Sequence, residues 1–134
     1  MKILFTDLDG TLLRDDKTIS DTLIKAAYDF CNLGNKLVLC SGRPLLSILS
    51  VKNTFLPDCN NCYASSYNGA LVYDIMAEKN IFEARVPLSY VALILDEAKK
   101  REIHCHTYSE THVISKYETK ELFQYLSYIS MPYS

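Results

Sequence analysis

The chain has 134 residues, and its 14 basic and 16 acidic side chains give a formal charge of −2. With 49% hydrophobic and 22% charged residues it has the composition of a folded globular protein, which excludes a disordered tail. No apolar run reaches the roughly 18–20 residues that a membrane span needs, and the nearly balanced charge indicates no basic surface for nucleic acid. We therefore expect a cytoplasmic protein with neither a membrane nor a nucleic-acid partner.

The first part of the chain alternates short apolar runs with helical patterns. The predicted elements in chain order are a strand at 2–6, a helix that begins after Ser20 and stops at Gly34, a strand at 37–40, a helix at 44–54 and a strand at 63–66. Ser20 is a favourable N-cap, and Gly34 can end a helix because it adopts left-handed backbone angles readily. Strands and helices that alternate in this way predict a parallel sheet flanked by helices, which is an α/β fold.

The pattern changes after residue 69, so we place a boundary near residues 74–82. Apolar runs at 70–73 and 81–86 predict a hairpin. The elements predicted beyond it are a helix from 87 to 101, strands at 103–108 and 112–115, and a helix at 118–129.

Two polar clusters directly follow neighbouring predicted strands, one at residues 7–11 and one at 41–43. Parallel strands end at the same rim of a sheet, so Asp7 and Asp9 should lie close to Ser41. Gly10 permits a tight turn that aims backbone amides at an anion, and Gly42 leaves room for a close approach. Carboxylates beside a hydroxyl and backbone amides suit a phosphate held together with Mg²⁺.

Other interpretations of these residues remain open on the pattern alone. Asp and Gly after a strand are also ordinary turn formers. A calcium-binding loop is excluded, because Leu12 and Thr18 stand where that loop needs Gly and Glu. The spacing of Cys59 and Cys62 is that of a zinc or redox pair, but zinc would need two further ligands and the nearest candidates lie far along the chain, so buried or incidental thiols are the favoured explanation.

Three ordered motifs resemble those of one enzyme family. Residues 5–13 read Phe-Thr-Asp-Leu-Asp-Gly-Thr-Leu-Leu, residues 40–44 read Cys-Ser-Gly-Arg-Pro, and residues 66–70 read Ser-Tyr-Asn-Gly-Ala. Together they resemble the haloacid dehalogenase superfamily, in its Cof-type phosphatase branch. The resemblance implies a parallel Rossmann-like sheet flanked by helices, followed by the first part of an α+β cap. It implies that residues 1–78 form the N-terminal half of the core and that residues 79–134 form part of the cap.

The resemblance also implies roles for individual residues. Asp7 would be the nucleophile and Asp9 the general acid, and Mg²⁺ would be held by the Asp7 carboxylate and the Asp9 backbone carbonyl. The phosphoryl group would be bound by Leu8 and Asp9 through their backbone amides, by the Ser41 side chain and by the Gly42 amide. Arg43 and Asn68 would position the loop, the cap or the substrate, and a purely structural role for Arg43, holding the loop in place, remains open.

The family pattern continues beyond what this chain contains. It needs a lysine after the cap and a later acidic pair that begins with Gly-Asp, and no glycine here precedes an aspartate. We therefore expect weak Mg²⁺ binding and little turnover by this chain alone, and an exposed apolar first strand at 3–5 that could self-associate. The function expected is that of a Mg²⁺-dependent phosphatase of small phosphorylated metabolites. The alternative is a non-catalytic, truncated binding or interaction module.

Overall fold

The structure, a computed structural model, describes every residue from Met1 to Ser134. It divides into two compact units, Met1–Ala84 and Arg85–Ser134. None of the helices is long and apolar enough to cross a membrane.

The first unit is a five-stranded sheet with helices between its parallel strands. Its elements are β1 (Ile3–Asp7), α1 (Asp21–Asn32), β2 (Lys36–Cys40), α2 (Leu45–Phe55), β3 (Cys62–Ser66), a 3₁₀ turn (Tyr67–Gly69), β4 (Leu71–Asp74) and β5 (Lys79–Glu83). The strands lie in the order β1-β2-β3-β4-β5, parallel from β1 to β3 and antiparallel from β3 to β5. This arrangement confirms the predicted α/β fold and the predicted hairpin. Because β5 pairs with β4, the first unit extends a few residues past the boundary expected between 78 and 79.

Local sequence explains where α1 begins and ends. The Ser20 side chain accepts a hydrogen bond from the Leu23 amide at 3.3 Å, which caps the helix as predicted. Asp21 places a negative charge in the first turn, where the helix dipole favours it. Gly34 follows the helix with a φ of +77°, a conformation that glycine adopts without steric cost.

The core of the first unit lies between the sheet and the two helices. Leu8, Leu39, Ile48 and Ala64 are fully buried in it. By contrast, the apolar residues of β1, the outermost strand of the sheet, are exposed. The exposed apolar first strand expected from the sequence is thus present in the structure.

The second unit is smaller and has shorter strands than predicted. Its elements are α3 (Leu88–Lys100), β6 (Thr107–Tyr108), β7 (Val113–Ile114) and α4 (Lys120–Leu126). Two residue pairs join β6 to β7, Thr107 with Ile114 and Tyr108 with Val113. The strand predicted at 103–108 therefore consists of residues 107 and 108 only, because residues 103–106 pair with no other strand. Helix α4 begins after Thr119, because the Thr119 hydroxyl accepts a hydrogen bond from the Leu122 amide at 3.2 Å.

Candidate active site

A cleft of about 320 Å³ opens where the carboxyl ends of β1, β2 and β3 meet. It is lined by Asp7, Cys40, Ser41, Gly42, Ser65, Asn68 and Gly69. The structure therefore brings together four residues singled out from the sequence: Asp7, Ser41, Gly42 and Asn68. Cys40, Ser65 and Gly69 were missed, although the position of Cys40 and Ser65 near the ends of parallel strands could have indicated them.

The loop after β1 places the Asp7 side chain at the cleft. The Asp7 carbonyl accepts a hydrogen bond from the Leu12 amide at 3.2 Å, and the Leu8 carbonyl accepts one from Leu13 at 2.8 Å, so the chain folds back tightly. Leu8 and Leu13 are buried and fix this loop in the core. The carboxylate of Asp7 stays exposed and forms no ion pair with another side chain of the protein.

Three hydrogen bonds fix the position of Ser41. Its amide donates to the Ser65 carbonyl at 2.9 Å, its carbonyl accepts from the Asn68 amide at 3.2 Å, and its hydroxyl oxygen accepts from the Arg43 amide at 3.1 Å. A serine hydroxyl has one hydrogen to donate, and here the bond from Arg43 occupies a lone pair of the oxygen. The hydroxyl hydrogen of Ser41 can therefore turn toward an anion in the cleft.

The turn at Tyr67 and Asn68 closes one wall of the cleft. Both residues have left-handed backbone angles, with φ of +52° and +56°. The Tyr67 amide donates to the Arg43 carbonyl at 3.2 Å, which together with the Asn68–Ser41 bond ties this turn to the loop after β2. A Cβ atom at Gly42 would lie 2.9 Å from Asn68 Oδ1, closer than side chains tolerate. A larger residue at position 42 would thus require the Asn68 side chain to move.

Asp9 lies beside the cleft and is held by two cations. Arg43 Nε donates to Asp9 Oδ2 at 2.8 Å and Arg43 Nη2 donates to Oδ1 at 2.7 Å, while Lys17 Nζ lies 3.0 Å from Oδ1. These contacts, chiefly the hydrogen bonds from Arg43, lower the pKa of the Asp9 carboxyl to about 2. Lys17 was not singled out from the sequence, because nothing in its spacing connects it to Asp9.

Arg43 connects the loops that follow β1 and β2. Besides its two bonds to Asp9, Nη1 donates to the Ser47 hydroxyl at 3.2 Å, and its side chain is only 11% exposed. A fork-like pairing with a carboxylate fixes both groups in direction as well as distance.

The prediction that the Leu8 amide binds a phosphate is wrong, because this amide already has a hydrogen-bond partner. It donates to the Cys40 carbonyl at 3.2 Å, because the hydrogen-bond ladder between β1 and β2 continues one residue past Asp7. Cys40 itself borders the cleft, and burial together with the nearby Asp7 charge raises the pKa of its thiol.

The donor atoms at the cleft suit Mg²⁺ only in part. Mg²⁺ prefers carboxylate and carbonyl oxygens and keeps several waters, so the Asp7 carboxylate and the Asp9 carbonyl are appropriate ligands. The chain contains no group of three or more His, Cys, Asp or Glu side chains that could hold a metal ion. A cation here would therefore depend on water and phosphate oxygens for the rest of its shell.

The thiols form a separate buried cluster. Cys31 Sγ lies 3.0 Å from Cys59 Sγ, and both residues are buried with Cys62. Burial raises the pKa of the Cys31 thiol to about 12, and the neighbouring Cys62 thiol together with burial raises the pKa of Cys59. All three thiols belong to the hydrophobic core of the first unit, and a thiol held in the protonated form is a poor nucleophile.

Comparison with known proteins gives a family and several relatives. A family model described as haloacid dehalogenase-like hydrolase matches residues 4–132. A Streptococcus pyogenes protein that is provisionally named a phosphatase is 26% identical over 129 residues, which cover 90% of this chain and 47% of the relative. The chain spans about half the length of the curated relatives that it matches.

Solved structures share the fold over the whole chain. A haloacid dehalogenase-like hydrolase from Bacteroides thetaiotaomicron superposes with a TM-score of 0.86 at 23% identity, covering 99% of this chain and 50% of its own. A protein titled as the subclass IIB sugar phosphatase BT4131 superposes with a TM-score of 0.79 at 24% identity, covering 100% of this chain and 52% of its own.

Proposed function

The chain belongs to the haloacid dehalogenase-like hydrolase family, and on that premise we propose that its first unit carries half of a phosphatase active site. The observation that supports this proposal most directly is the shared cleft, in which Asp7 and Ser41 line one cavity. The reaction proposed is hydrolysis of a phosphate monoester through an aspartyl-phosphate. The cytoplasmic location predicted from the sequence is part of the same proposal.

Asp7 is the nucleophile in this proposal. Its exposed carboxylate has no cation bound to it within the chain, so an oxygen of the carboxylate is free to attack phosphorus. The attack forms a bond between Asp7 and phosphorus and breaks the bond to the leaving alcohol. A water molecule then attacks the same phosphorus, releases phosphate and regenerates the Asp7 carboxylate.

Asp9 is the proposed acid and base for these two steps. In the structure its carboxylate is ionised and bound by Arg43 and Lys17, so it carries no proton to give. The proposal therefore requires that Asp9 separate from these cations and take up a proton from solvent, which it then donates to the leaving-group oxygen; in the second step its carboxylate accepts a proton from the attacking water. Arg43 sets the resting position of Asp9 and is a positioning residue.

Hydrogen-bond donors from both loops would hold the phosphoryl group. The donors proposed are the Ser41 hydroxyl and the amides of Gly42 and Asp9. The Leu8 amide is excluded because it already donates to the Cys40 carbonyl of β2. Donors fixed before the substrate arrives stabilise developing negative charge more effectively than mobile water does. Asn68 supports this set by packing against Gly42.

We propose Mg²⁺ as the cofactor, held by the Asp7 carboxylate and the Asp9 carbonyl. When bound, Mg²⁺ would supply the positive charge that offsets repulsion between a carboxylate and a phosphate dianion.

The substrate proposed is a small phosphorylated metabolite, such as a sugar phosphate or a nucleotide-derived cofactor. BT4131, which shares the fold, is titled a sugar phosphatase. The cleft of about 320 Å³ accommodates a phosphoryl group with a small part of its ester and sets no finer limit.

The test is release of phosphate from a panel of sugar and nucleotide phosphate esters, with and without Mg²⁺. Because the chain carries half of the proposed site, we expect weak, Mg²⁺-dependent release, and we expect Asp7→Asn to abolish it, because the amide is a far weaker nucleophile than the carboxylate. Asp58→Asn is the matched control, since Asp58 is an exposed aspartate outside the cleft, and it should leave the rate unchanged.

Binding measurements separate the proposal from the alternative of a non-catalytic module. Calorimetric titration with inorganic phosphate and Mg²⁺ should show binding that Ser41→Ala weakens. Phosphate binding without any release from the esters would favour the non-catalytic module, and release undiminished in Asp7→Asn would show that Asp7 is not the nucleophile.

A further inference from the structure

Three of the five cysteines meet at one place in the core of the first unit. Cys31 lies in the last turn of α1, Cys59 lies in the loop that leads to β3, and Cys62 is the first residue of β3. Their exposed fractions are 3%, 3% and 1%, and we call these three residues the thiol cluster. Because Cys62 pairs with Leu37 near the start of β2, the thiol cluster lies at the amino-terminal ends of the parallel strands, opposite the cleft.

The closest contact within the thiol cluster joins α1 to the loop before β3. Cys59 Sγ lies 3.0 Å from Cys31 Sγ, and a disulfide bond is about 2 Å long. An approach of about 1 Å would therefore bring these two sulfurs to bonding distance. Cys62 also forms a side-chain hydrogen bond with Cys59, so a second pairing of thiols has to be distinguished from the first.

Hydrogen bonds hold the two sides of this contact in place. The Asn61 side-chain amide donates to the Cys31 carbonyl at 3.1 Å, and the Asp58 backbone amide donates to the Tyr28 hydroxyl at 3.3 Å. The loop is thus fixed against α1 on both sides of Cys59. The two sulfurs are therefore positioned for each other by the fold itself.

We propose that Cys31 and Cys59 form a modification site at which a hydroperoxide oxidises the two thiols to a disulfide, and that this bond stabilises the first unit. The bond closes a loop whose 27 intervening residues, 32–58, contain β2 and α2. Cross-linking a loop of this length strongly restricts the unfolded chain, whereas a bond between Cys59 and Cys62 encloses two residues and restricts it little. The size of the stabilisation therefore distinguishes the two bonds.

A buried cation selects Cys59 as the thiol that reacts first. Lys52 is 7% exposed, its Nζ donates to the Pro57 carbonyl at 2.6 Å, and its positive charge favours the thiolate of Cys59. The Cys62 thiol and burial outweigh this attraction and raise the pKa of Cys59, so the closed core reacts slowly. Oxidation therefore proceeds when the loop opens locally.

The reaction takes two steps. With hydrogen peroxide, the Cys59 sulfur attacks one oxygen and the O–O bond breaks, which leaves a sulfenic acid on Cys59. The departing hydroxide takes up the thiol proton and leaves as water. The Cys31 sulfur then attacks the sulfenic sulfur, the S–S bond forms, the S–O bond breaks, and a second water leaves with the Cys31 proton. The two thiols together lose two electrons, which the peroxide gains.

Peptide mapping by mass spectrometry after treatment of the whole chain with hydrogen peroxide tests the proposal. The remaining thiols are alkylated in denaturant, and trypsin then places Cys31 in peptide 26–36 and both Cys59 and Cys62 in peptide 53–79. We expect a cross-link between these two peptides that fragmentation locates at Cys59 and that dithiothreitol releases. A bond between Cys59 and Cys62 would instead remain inside peptide 53–79.

Variants and urea unfolding measure what the bond does. Cys105→Ser is the matched control, because Cys105 lies in the second unit; this variant should form the cross-link like the wild type, and Cys31→Ala should not. Without reductant, oxidation should lower the unfolding equilibrium constant of the wild type by about tenfold or more and leave that of Cys31→Ala unchanged.

Four results on the wild-type chain would each overturn the proposal, so it does not depend on a variant that could misfold. They are the absence of a cross-link, a main product that joins Cys59 to Cys62 or two copies of the chain, sulfinic or sulfonic acid in place of the disulfide, and an unchanged unfolding constant after complete cross-linking. The thiol cluster is not part of the cleft, so this proposal and the phosphatase chemistry can fail independently.

Discussion

Replacing Arg43 with methionine tests whether one guanidinium controls the ionisation of Asp9. Methionine is unbranched and similar in length, so it keeps part of the aliphatic packing and removes the charge. In the native structure Arg43 donates to both Asp9 oxygens, at 2.8 and 2.7 Å. Without it, Lys17 at 3.0 Å is the one remaining cation, and the pKa of Asp9 should rise from about 2 toward its ordinary value of 3.8.

The expected effect on stability follows from the same contacts. The difference between about 2 and 3.8 corresponds to roughly 2.5 kcal/mol at about 1.36 kcal/mol per pKa unit. The Asp9 side chain is 42% exposed and Lys17 supplies part of the effect, so we expect Arg43→Met to lose about 1 kcal/mol at pH 7. Because folding lowers the pKa of Asp9, its stabilisation is present above about pH 4 and is lost as the pH falls toward 2. The charge-dependent difference between wild type and variant should therefore be small near pH 2 and vanish below it, whereas the loss of the Ser47 contact should not depend on pH.

Carboxyl carbon NMR in metal-free buffer measures the Asp9 pKa directly, and urea unfolding at pH 7 and near pH 2–3 measures the stability difference. Lys25→Met is the matched control, because Lys25 pairs with Asp29 on the exposed face of α1 and should leave Asp9 unchanged. If the Asp9 carboxyl of Arg43→Met still titrates at about pH 2, Arg43 does not control it and the reasoning is refuted.

Three further changes have defined outcomes. Gly42→Ala should force the Asn68 side chain to shift, because the new Cβ would meet Asn68 Oδ1 at 2.9 Å, and should lower the unfolding free energy by about 1 kcal/mol in urea unfolding; adding Asn68→Gly should restore most of this loss. Burial and the nearby His104 lower the pKa of His106 in the folded chain. As the pH falls through about 6.5, the unfolded chain therefore takes up a proton on His106 before the folded chain does, and the thermal stability of the second unit should decrease. Thermal melts of His106→Gln should show less of this acid sensitivity, and equal sensitivity would contradict the assignment. Ser20→Ala should cost about 1 kcal/mol in urea unfolding through loss of the α1 cap, whereas a cost near zero would show that the cap contributes little.

Much of the fold could be predicted from the sequence because local signals agreed with one another. Ser20 and Gly34 marked the ends of α1, and the apolar runs that became β2 and β3 are short enough to exclude helices. The second unit was harder to predict. Residues 103–106 alternate in a strand-like way, but the side chains of His104 and His106 hydrogen-bond each other at 2.9 Å and this segment pairs with no strand.

The candidate site was predictable in outline for a similar reason. Parallel strands must end at one rim, which places Asp7 near Ser41 whatever the details of packing. The direction of the Asp9 side chain could not be predicted, because it depends on the long side chains of Lys17 and Arg43, which reach it from other positions along the chain. The spacing of residues in the sequence does not predict which partner a long side chain will contact.

The buried thiols give this protein an intrinsic reporter of core opening. Cys31 and Cys59 are shielded from solvent and lie outside the cleft, so an alkylating reagent reaches them only when the first unit unfolds locally or completely. The rate of their labelling therefore measures the opening equilibrium, in the manner of hydrogen exchange but with a readout by mass. Every substitution proposed above can be ranked for its effect on the core in this way, with no fluorophore or tag added to the chain.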